Sequence, residues 1–329
     1  MKKALITGIN GQIGSYLAEI LLSKDYEVYG ISENSNSSMA QFLTGRGCKI
    51  YEFNIQEPNR IEILIDEITP HEIYNLAAIT TLHSAEKYPE ETFMINTLAL
   101  MRICAHVQKY NPSIKIFQAS SAEIYGKNTS EVIDENTVQD PQSIYAITKS
   151  TSDNIIKYYR THYNLFCCSG VIFNSASERS SDKFVTKKIV RSVNNFLIKR
   201  EPLTIGNLNS YKDWTHARDT AQGIYLMLQS GSPKDHIIAS GSCHTVREFI
   251  EVAFKKKGIE IVWKGEGIDE KGFDRTTNSL CVMVDTKYFR LNEINKRVSG
   301  DSFKLKNELG WEPEYDFKRL VETMIENDS

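Results

Sequence analysis

The tightest constraint on the fold of this chain is a run of three glycines, Gly8, Gly11 and Gly14, spaced three apart in Thr7-Gly-Ile-Asn-Gly-Gln-Ile-Gly14. The apolar run at 3–7 before them reads as a strand, and the pattern at 14–23 after them as a helix. Glycines in that position let the backbone approach a pyrophosphate at the helix N-terminus, so the segment predicts a dinucleotide site. Its contact candidates are Gly8, Asn10, Gly11, Gln12, Ile13 and Gly14.

The glycine run opens a longer alternation. Strands are expected at 3–7, 27–31, 49–53, 72–76, 115–119 and 166–173, with helices at 14–23, 59–68, 90–110 and 145–162 between them. Short β-rich runs separated by helical patterns predict an α/β fold, a Rossmann-like doubly wound parallel sheet. After Asn174 the rhythm changes to helices at 184–199, 220–230, 245–257 and 317–325 with short strands and more loop. The expected division is a dinucleotide-binding domain at 1–174 and a smaller mixed α/β substrate lobe at 175–329, with a soft boundary and exchanged segments.

Composition narrows the function classes. At 329 residues, 41% hydrophobic and 25% charged, the chain has the make-up of a soluble globular protein. A net charge of −3 supplies no broad basic field for nucleic acid or an anionic membrane surface. No apolar run reaches the roughly 18 residues of a membrane span, and a cytoplasmic location is expected. The six cysteines, including the adjacent Cys167 and Cys168, lack metal-ligand spacing. They are expected as reduced, mostly buried thiols, with no metal site.

Tyr145 and Lys149 lie four residues apart in Ser143-Ile-Tyr-Ala-Ile-Thr-Lys149. On a helix such residues share a face, so an ammonium can favour a phenolate and still reach a bound cofactor. That pairing predicts acid/base chemistry at a nicotinamide site.

Gly-x-x-Gly-x-x-Gly is the spacing of the extended short-chain dehydrogenase/reductases, which the chain resembles, and Asn75-Leu-Ala-Ala78 is similar to that family's loop after the fourth strand. Further matches are Gln118-Ala-Ser-Ser-Ala-Glu-Ile-Tyr-Gly-Lys127, Phe184-Val-Thr-Lys-Lys-Ile189, Lys212-Asp-Trp-Thr-His-Ala-Arg-Asp219, Tyr288-Phe-Arg-Leu-Asn-Glu293 and Leu309-Gly-Trp-Glu-Pro313. Together they resemble the GDP-mannose 4,6-dehydratases. The resemblance implies cofactor contacts from Ser32, Glu33, Asn54, Ile55, Leu76, Ala77, Ala78, Thr80, Tyr145 and Lys149. That family typically has arginines after the second strand and uses NADP, whereas Glu33 repels a 2′-phosphate and Ser180 replaces the second of two arginines. NAD is therefore expected, with NADP open through the serines of 32–38.

The implied reaction removes hydride from C4 of a GDP-linked hexose, eliminates water across C5 and C6, and returns the hydride to C6. Tyr145 is the implied base at the C4 hydroxyl, Lys149 its partner, Ser121 a donor to O4 and Glu123 the base at C5. With Ala122 in place of an aspartate acid, Glu123 is also the candidate for protonating the leaving hydroxyl. By resemblance Arg179, Lys188, Arg218 and Arg290 meet the nucleotide diphosphate, Glu293 the ribose or base, and Asn174 the sugar phosphate. Asn174-Ser-Ala-Ser177 and Ile79-Thr-Thr-Leu-His83 depart from the family around the sugar, which leaves room for GDP-mannose or a relative such as GDP-N-acetylglucosamine. A GDP-sugar 4-epimerase or C4 oxidoreductase is the alternative enzyme, a glucuronate decarboxylase a third, and a non-catalytic cofactor sensor the alternative of another class. A homodimer or homotetramer is expected.

Overall fold

In the computed structural model, which describes residues 1–127, 130–288 and 297–328, strand and helix alternate from the start of the chain. The order is β1 (Lys3–Thr7), α1 (Gln12–Leu22), β2 (Glu27–Ser32), α2 (Ser38–Gly45), β3 (Lys49–Glu52), α3 (Arg60–Ile68) and β4 (Glu72–Asn75). Helices α4 (Leu82–Lys87) and α5 (Pro89–Phe93) lead through a π-helical turn, Met94–Leu98, into α6 (Ala99–Tyr110) and β5 (Lys115–Ser121). A 3-10 turn, Ala122–Tyr125, and β6 (Val132–Ile133) precede α7 (Ile144–Tyr163) and β7 (Cys167–Ile172). Next come β8 (Asn174–Ala176), α8 (Val185–Lys199), β9 (Leu203–Ile205), β10 (Tyr211–His216), α9 (Ala217–Gln229) and β11 (His236–Ile238). The chain continues through β12 (Cys243–Thr245), α10 (Val246–Lys256), β13 (Ile261–Lys264), β14 (Lys271–Asp274) and β15 (Leu280–Val284). It closes with β16 (Ser299–Gly300), α11 (Phe303–Leu309) and α12 (Phe317–Glu326).

All six expected strands form, each within two residues of its expected ends. The expected helix at 90–110 carries the π-helical turn in its middle, and α2 and α4 are additional. Helix α2 starts inside the polar stretch, where the Ser37 hydroxyl accepts from Ala40 N and caps it.

Seven parallel strands run in the order β11-β7-β5-β4-β1-β2-β3. The chain winds outward from β1 in one direction and then, from β4, in the other, which leaves a crevice at the carboxyl ends of β1 and β4. Alternate side chains supply two cores, as a sheet covered on both faces requires. Ala4, Ile6, Tyr74 and Phe117 pack with residues of α1 and α9, while Leu5, Ile73, Ile116 and Cys167 pack with α3, α6 and α7.

A third core joins α8, α10 and α12 to the three-stranded sheet β12-β10-β8 and the four-stranded sheet β13-β14-β15-β9. Residues after 174 also complete the large sheet: β11 pairs in parallel with β7, and Ala217, Ala221 and Ile224 of α9 lie in the α1 core. All six cysteines are buried free thiols. Among the described residues no helix is long and apolar enough to cross a membrane, and no His, Cys, Asp and Glu cluster could hold a metal.

Candidate active site

Gly8 turns the chain at the end of β1 with φ +68°, and a Cβ there would come 3.0 Å from Ala77 Cα. At Gly14 a Cβ would come 2.5 Å from the Gly8 carbonyl oxygen. The first turn of α1 thus seats directly on the glycine turn. Gly11, its N-cap, offers no side-chain acceptor, which leaves the leading N–H groups of α1 to a ligand. Thr7 Oγ1 fixes the opposite wall by accepting from Leu76 N at 3.0 Å and Ala77 N at 2.9 Å. This is a cradle that a dinucleotide diphosphate fits.

Gln12 is already engaged on the protein side. Its side chain leaves the turn, donating to Ser175 O at 3.2 Å and accepting from Ser177 Oγ at 3.1 Å and Ser180 Oγ at 2.9 Å. At the rim, Ser32 is buried and closed on Asn34, accepting from its N and donating to its O, each at 3.0 Å. Ser35 donates its N–H to Glu52 at 2.8 Å, Asn10 reaches Ser37, and Glu33 is exposed. Asn54, whose side chain accepts from Gln56 N, and buried Ile55 follow β3, while Ala78 and exposed Thr80 follow β4.

Ser121 ends β5, and the 3-10 turn places Glu123 beside it, with Glu123 N donating to Ser121 Oγ at 3.3 Å. Helix α7 begins at Ser143, whose hydroxyl caps it by accepting from Ala146 N at 3.1 Å. Its first turns carry Tyr145 and Lys149, both buried. Burial pushes the Tyr145 phenol up to about 12; Ser121 opposes this as a hydrogen-bond partner, and the Glu123 charge adds to it.

The ammonium beside this phenol has a backbone partner of its own. Lys149 Nζ donates to Ala119 O at 2.7 Å and lies 5.9 Å from the Tyr145 ring centroid, so its hydrogen bond goes to the backbone of β5. Lys149 itself is pushed down to about 8 by burial, with Asp153 opposing.

The substrate candidates separate. Asn174 lies just beyond the carboxyl end of β7, its Nδ2 donating to Asp213 O at 3.4 Å, and Lys188 stands 3.4 Å from the Tyr288 ring centroid. Arg218 is exposed in the first turn of α9. Arg179 pairs with Glu19 at 2.8 Å, bonds Ser15 Oγ at 3.1 Å and stacks over Tyr16 at 3.8 Å. Its charge is paired on the flank of α1. Arg290 and Glu293 lie outside the described residues.

The sequence profile described as GDP-mannose 4,6 dehydratase matches residues 5–324. The chain belongs to the GDP-mannose 4,6-dehydratase family. Its GDP-mannose 4,6 dehydratase relative from Drosophila melanogaster is 38% identical over 340 residues, covering 99% of this chain and 86% of that protein. The human one is 38% identical, covering 99% and 91%, and that of Yersinia enterocolitica 36%, covering 100% and 94%. Among solved structures, dTDP-glucose 4,6-dehydratase from Bacillus anthracis, in complex with NAD, superposes with a TM-score of 0.80 at 21% identity, covering 99% of this chain and 96% of that one. UDP-glucose 4-epimerase from Thermotoga maritima superposes at 0.81 with 19% identity, covering 99% and 98%. Both share the fold.

Within this GDP-mannose 4,6-dehydratase family member, two polar residues at the site are not evident from sequence. Asn96, wholly buried in the π-helical turn, accepts from Ile79 N at 2.9 Å and donates to Ile79 O and Thr148 Oγ1, each at 3.1 Å. It ties the loop after β4 to α7. Asp153 lies one turn beyond Lys149, with its Oδ2 accepting from Ser120 Oγ at 2.7 Å. The signal available for Asn96 is an asparagine inside an apolar helical stripe. Asp153 carries no such signal, being one polar residue among many on α7.

Proposed function

We propose that this protein is a nucleotide-sugar 4,6-dehydratase that converts a GDP-hexose into a GDP-4-keto-6-deoxy sugar, with NAD as its resident cofactor. The observation that carries the reading is the convergence of Ser121, Glu123 and Tyr145, in which the Glu123 carboxylate stands close enough to bear on the buried phenol. An epimerase or C4 oxidoreductase needs the phenol and the serine but has no use for a second base there. The backbone of Gly8 to Gly14 would hold the cofactor diphosphate, Leu76 to Ala78 would line its far side, and Lys149 would meet the nicotinamide ribose. When bound, NAD supplies the hydride acceptor at C4 and the hydride donor at C6.

Tyr145 Oη takes the proton of the C4 hydroxyl, with Ser121 Oγ as its hydrogen-bond partner and donor to O4. The ketone at C4 acidifies C5–H, and Glu123 removes that proton and delivers one to the departing C6 hydroxyl. Burial of Tyr145 and Lys149 keeps bulk water from the reacting face. NAD rather than NADP is supported by the rim: Ser32 and Ser35 are already engaged, and Glu33 would face a 2′-phosphate with like charge. Lys188, Arg218 and, by resemblance, Arg290 and Glu293 serve the GDP moiety, with Asn174 toward the sugar phosphate. A cytoplasmic homodimer or homotetramer belongs to the same reading, supported by exposed Met101, Tyr110, Tyr158 and Tyr163 on α6 and α7.

Incubation with GDP-, UDP-, CDP- and deoxythymidine-diphosphate sugars, followed by mass spectrometry, tests the reading. Loss of one water from a GDP-hexose is expected, and the panel distinguishes GDP-mannose from GDP-N-acetylglucosamine. Loss of water from none of them, with C4 oxidation or epimerisation instead, would replace it with the oxidoreductase alternative.

A further inference from the structure

Tyr145, Lys149 and Asp153 succeed one another at one-turn intervals along α7, so their side chains form a single stripe. The end of β5 grips this stripe twice. Ser121 lies near enough to the Tyr145 phenol at one end to lower its pKa, and Ser120 Oγ donates to Asp153 Oδ2 at 2.7 Å at the other. The second carboxylate oxygen, Oδ1, is buried, with the Ser169 hydroxyl of β7 as its near neighbour and no cation bonded to it. A carboxylate so enclosed is costly unless a nearby cation offsets it. Lys149, one turn away, is a buried ammonium whose hydrogen bond goes to Ala119 O at 2.7 Å.

We propose that Asp153 is a positioning residue for Lys149: buried one turn further along α7 and anchored by Ser120, it supplies the negative charge that keeps this lysine an ammonium. The pair is reciprocal. Burial pushes Lys149 down to about 8 while Asp153 raises it; burial pushes Asp153 up to about 7 while Ser120, Ser169 and, more weakly, the Lys149 charge lower it. The other groups facing Asp153 are Ser169 of β7, Tyr125 of the 3-10 turn and Asp235 ahead of β11. Asp235 works against the Asp153 charge, but Arg160 pairs with it through both guanidinium nitrogens, at 2.7 and 2.5 Å. Below neutral pH Lys149 is charged with or without its neighbour, so the contribution of Asp153 falls on the alkaline side.

The effect on Lys149 is independent of substrate; its consequence for turnover rests on the dehydratase reading. The full-length protein is labelled with 15N-lysine, and the Lys149 side-chain signal, assigned with Lys149→Arg, is followed across pH by NMR in wild type and Asp153→Asn. The titration midpoint of Lys149 is expected to fall by about one pH unit in the variant, a shift of the size a neighbouring opposite charge produces. Dehydration of the GDP-hexose is expected to fall about tenfold at pH 9 while staying within about twofold of wild type at pH 6.5. An unchanged midpoint, or a rate loss equal at all pH values, would overturn the proposal. If Asp153→Asn does not fold, Ser120→Ala replaces it: loss of the anchor lowers the share of ionised Asp153 and should move the midpoint the same way by less, and an unmoved midpoint overturns the proposal equally. A chain that dehydrates no GDP-sugar sinks the functional reading but leaves the titration result to decide Asp153.

Discussion

Asn96 grips Ile79 from both sides, accepting from its N–H at 2.9 Å and donating to its carbonyl at 3.1 Å. A buried amide so used fixes the loop after β4 against α7. Asn96→Ala removes three hydrogen bonds and leaves Ile79 unsatisfied, at a cost of about 2–4 kcal/mol. The expected result is a lower melting temperature and weaker NAD binding by calorimetry; a melting temperature and an NAD affinity equal to wild type would refute the clamp.

Tyr145→Phe keeps the ring and deletes the proton acceptor. Turnover is expected to fall by about 10²–10⁴ while NAD stays bound, measured by steady-state rates and by cofactor content after denaturation. Activity near wild type would remove Tyr145 from the chemistry.

Glu123→Gln keeps the shape and removes the second base. Water loss and deuterium incorporation at C5 are expected to fall by about 10²-fold or more, while reduced-nicotinamide absorbance still appears on mixing with the GDP-hexose. Release of 4-keto-6-deoxy product at the wild-type rate would assign the C5 base elsewhere.

The closed Ser32 and Ser35 and the exposed Glu33 predict a preference for NAD over NADP of roughly tenfold, about 1.4 kcal/mol. Chromatography of the cofactor released on denaturation, together with titration of both forms, checks it. Predominant NADP would mean that the serines reopen to receive the phosphate.

Glu178 gives a stability signal with a definite sign. Burial raises its pKa, but the His216 ring nitrogen, 3.5 Å away, and the hydrogen bond from Tyr16 outweigh burial and leave it at about 2. A carboxyl depressed in the folded state stabilises fully above its unfolded pKa and loses that contribution as pH falls through about 4.5 toward 2. Wild type is expected to exceed Glu178→Gln by on the order of 3 kcal/mol at pH 7, with the gap narrowing in melts below pH 4.5. A gap constant from pH 7 to 3 would contradict the assignment.

Much of the scaffold was legible because its determinants are local. The strands alternate short apolar runs with helical periods, and Tyr145 and Lys149 announce a shared face by spacing alone. What escaped depends on distant partners. Arg179 carries its charge visibly, but only the fold brings Glu19 to it. Gln12 sits in a motif that points to cofactor, yet its side chain serves Ser177 and Ser180 across the crevice. Spacing sets a shared face for Tyr145 and Lys149; it does not reveal that Ala119 O accepts from the ammonium. Short helices such as α2 and α4 lie within polar sequence whose periodicity is too brief to read.

The pairing of β11 with β7 also governs how the chain is made. Until residue 238 has left the ribosome, β7 is an open edge and the face of the sheet that α9 covers is bare. The first half of the chain therefore emerges as a nascent intermediate with a strand edge open to wrong partners. Fragments ending near 174 are expected to precipitate or recruit chaperones, whereas co-expression with the missing half offers a route to reassembly.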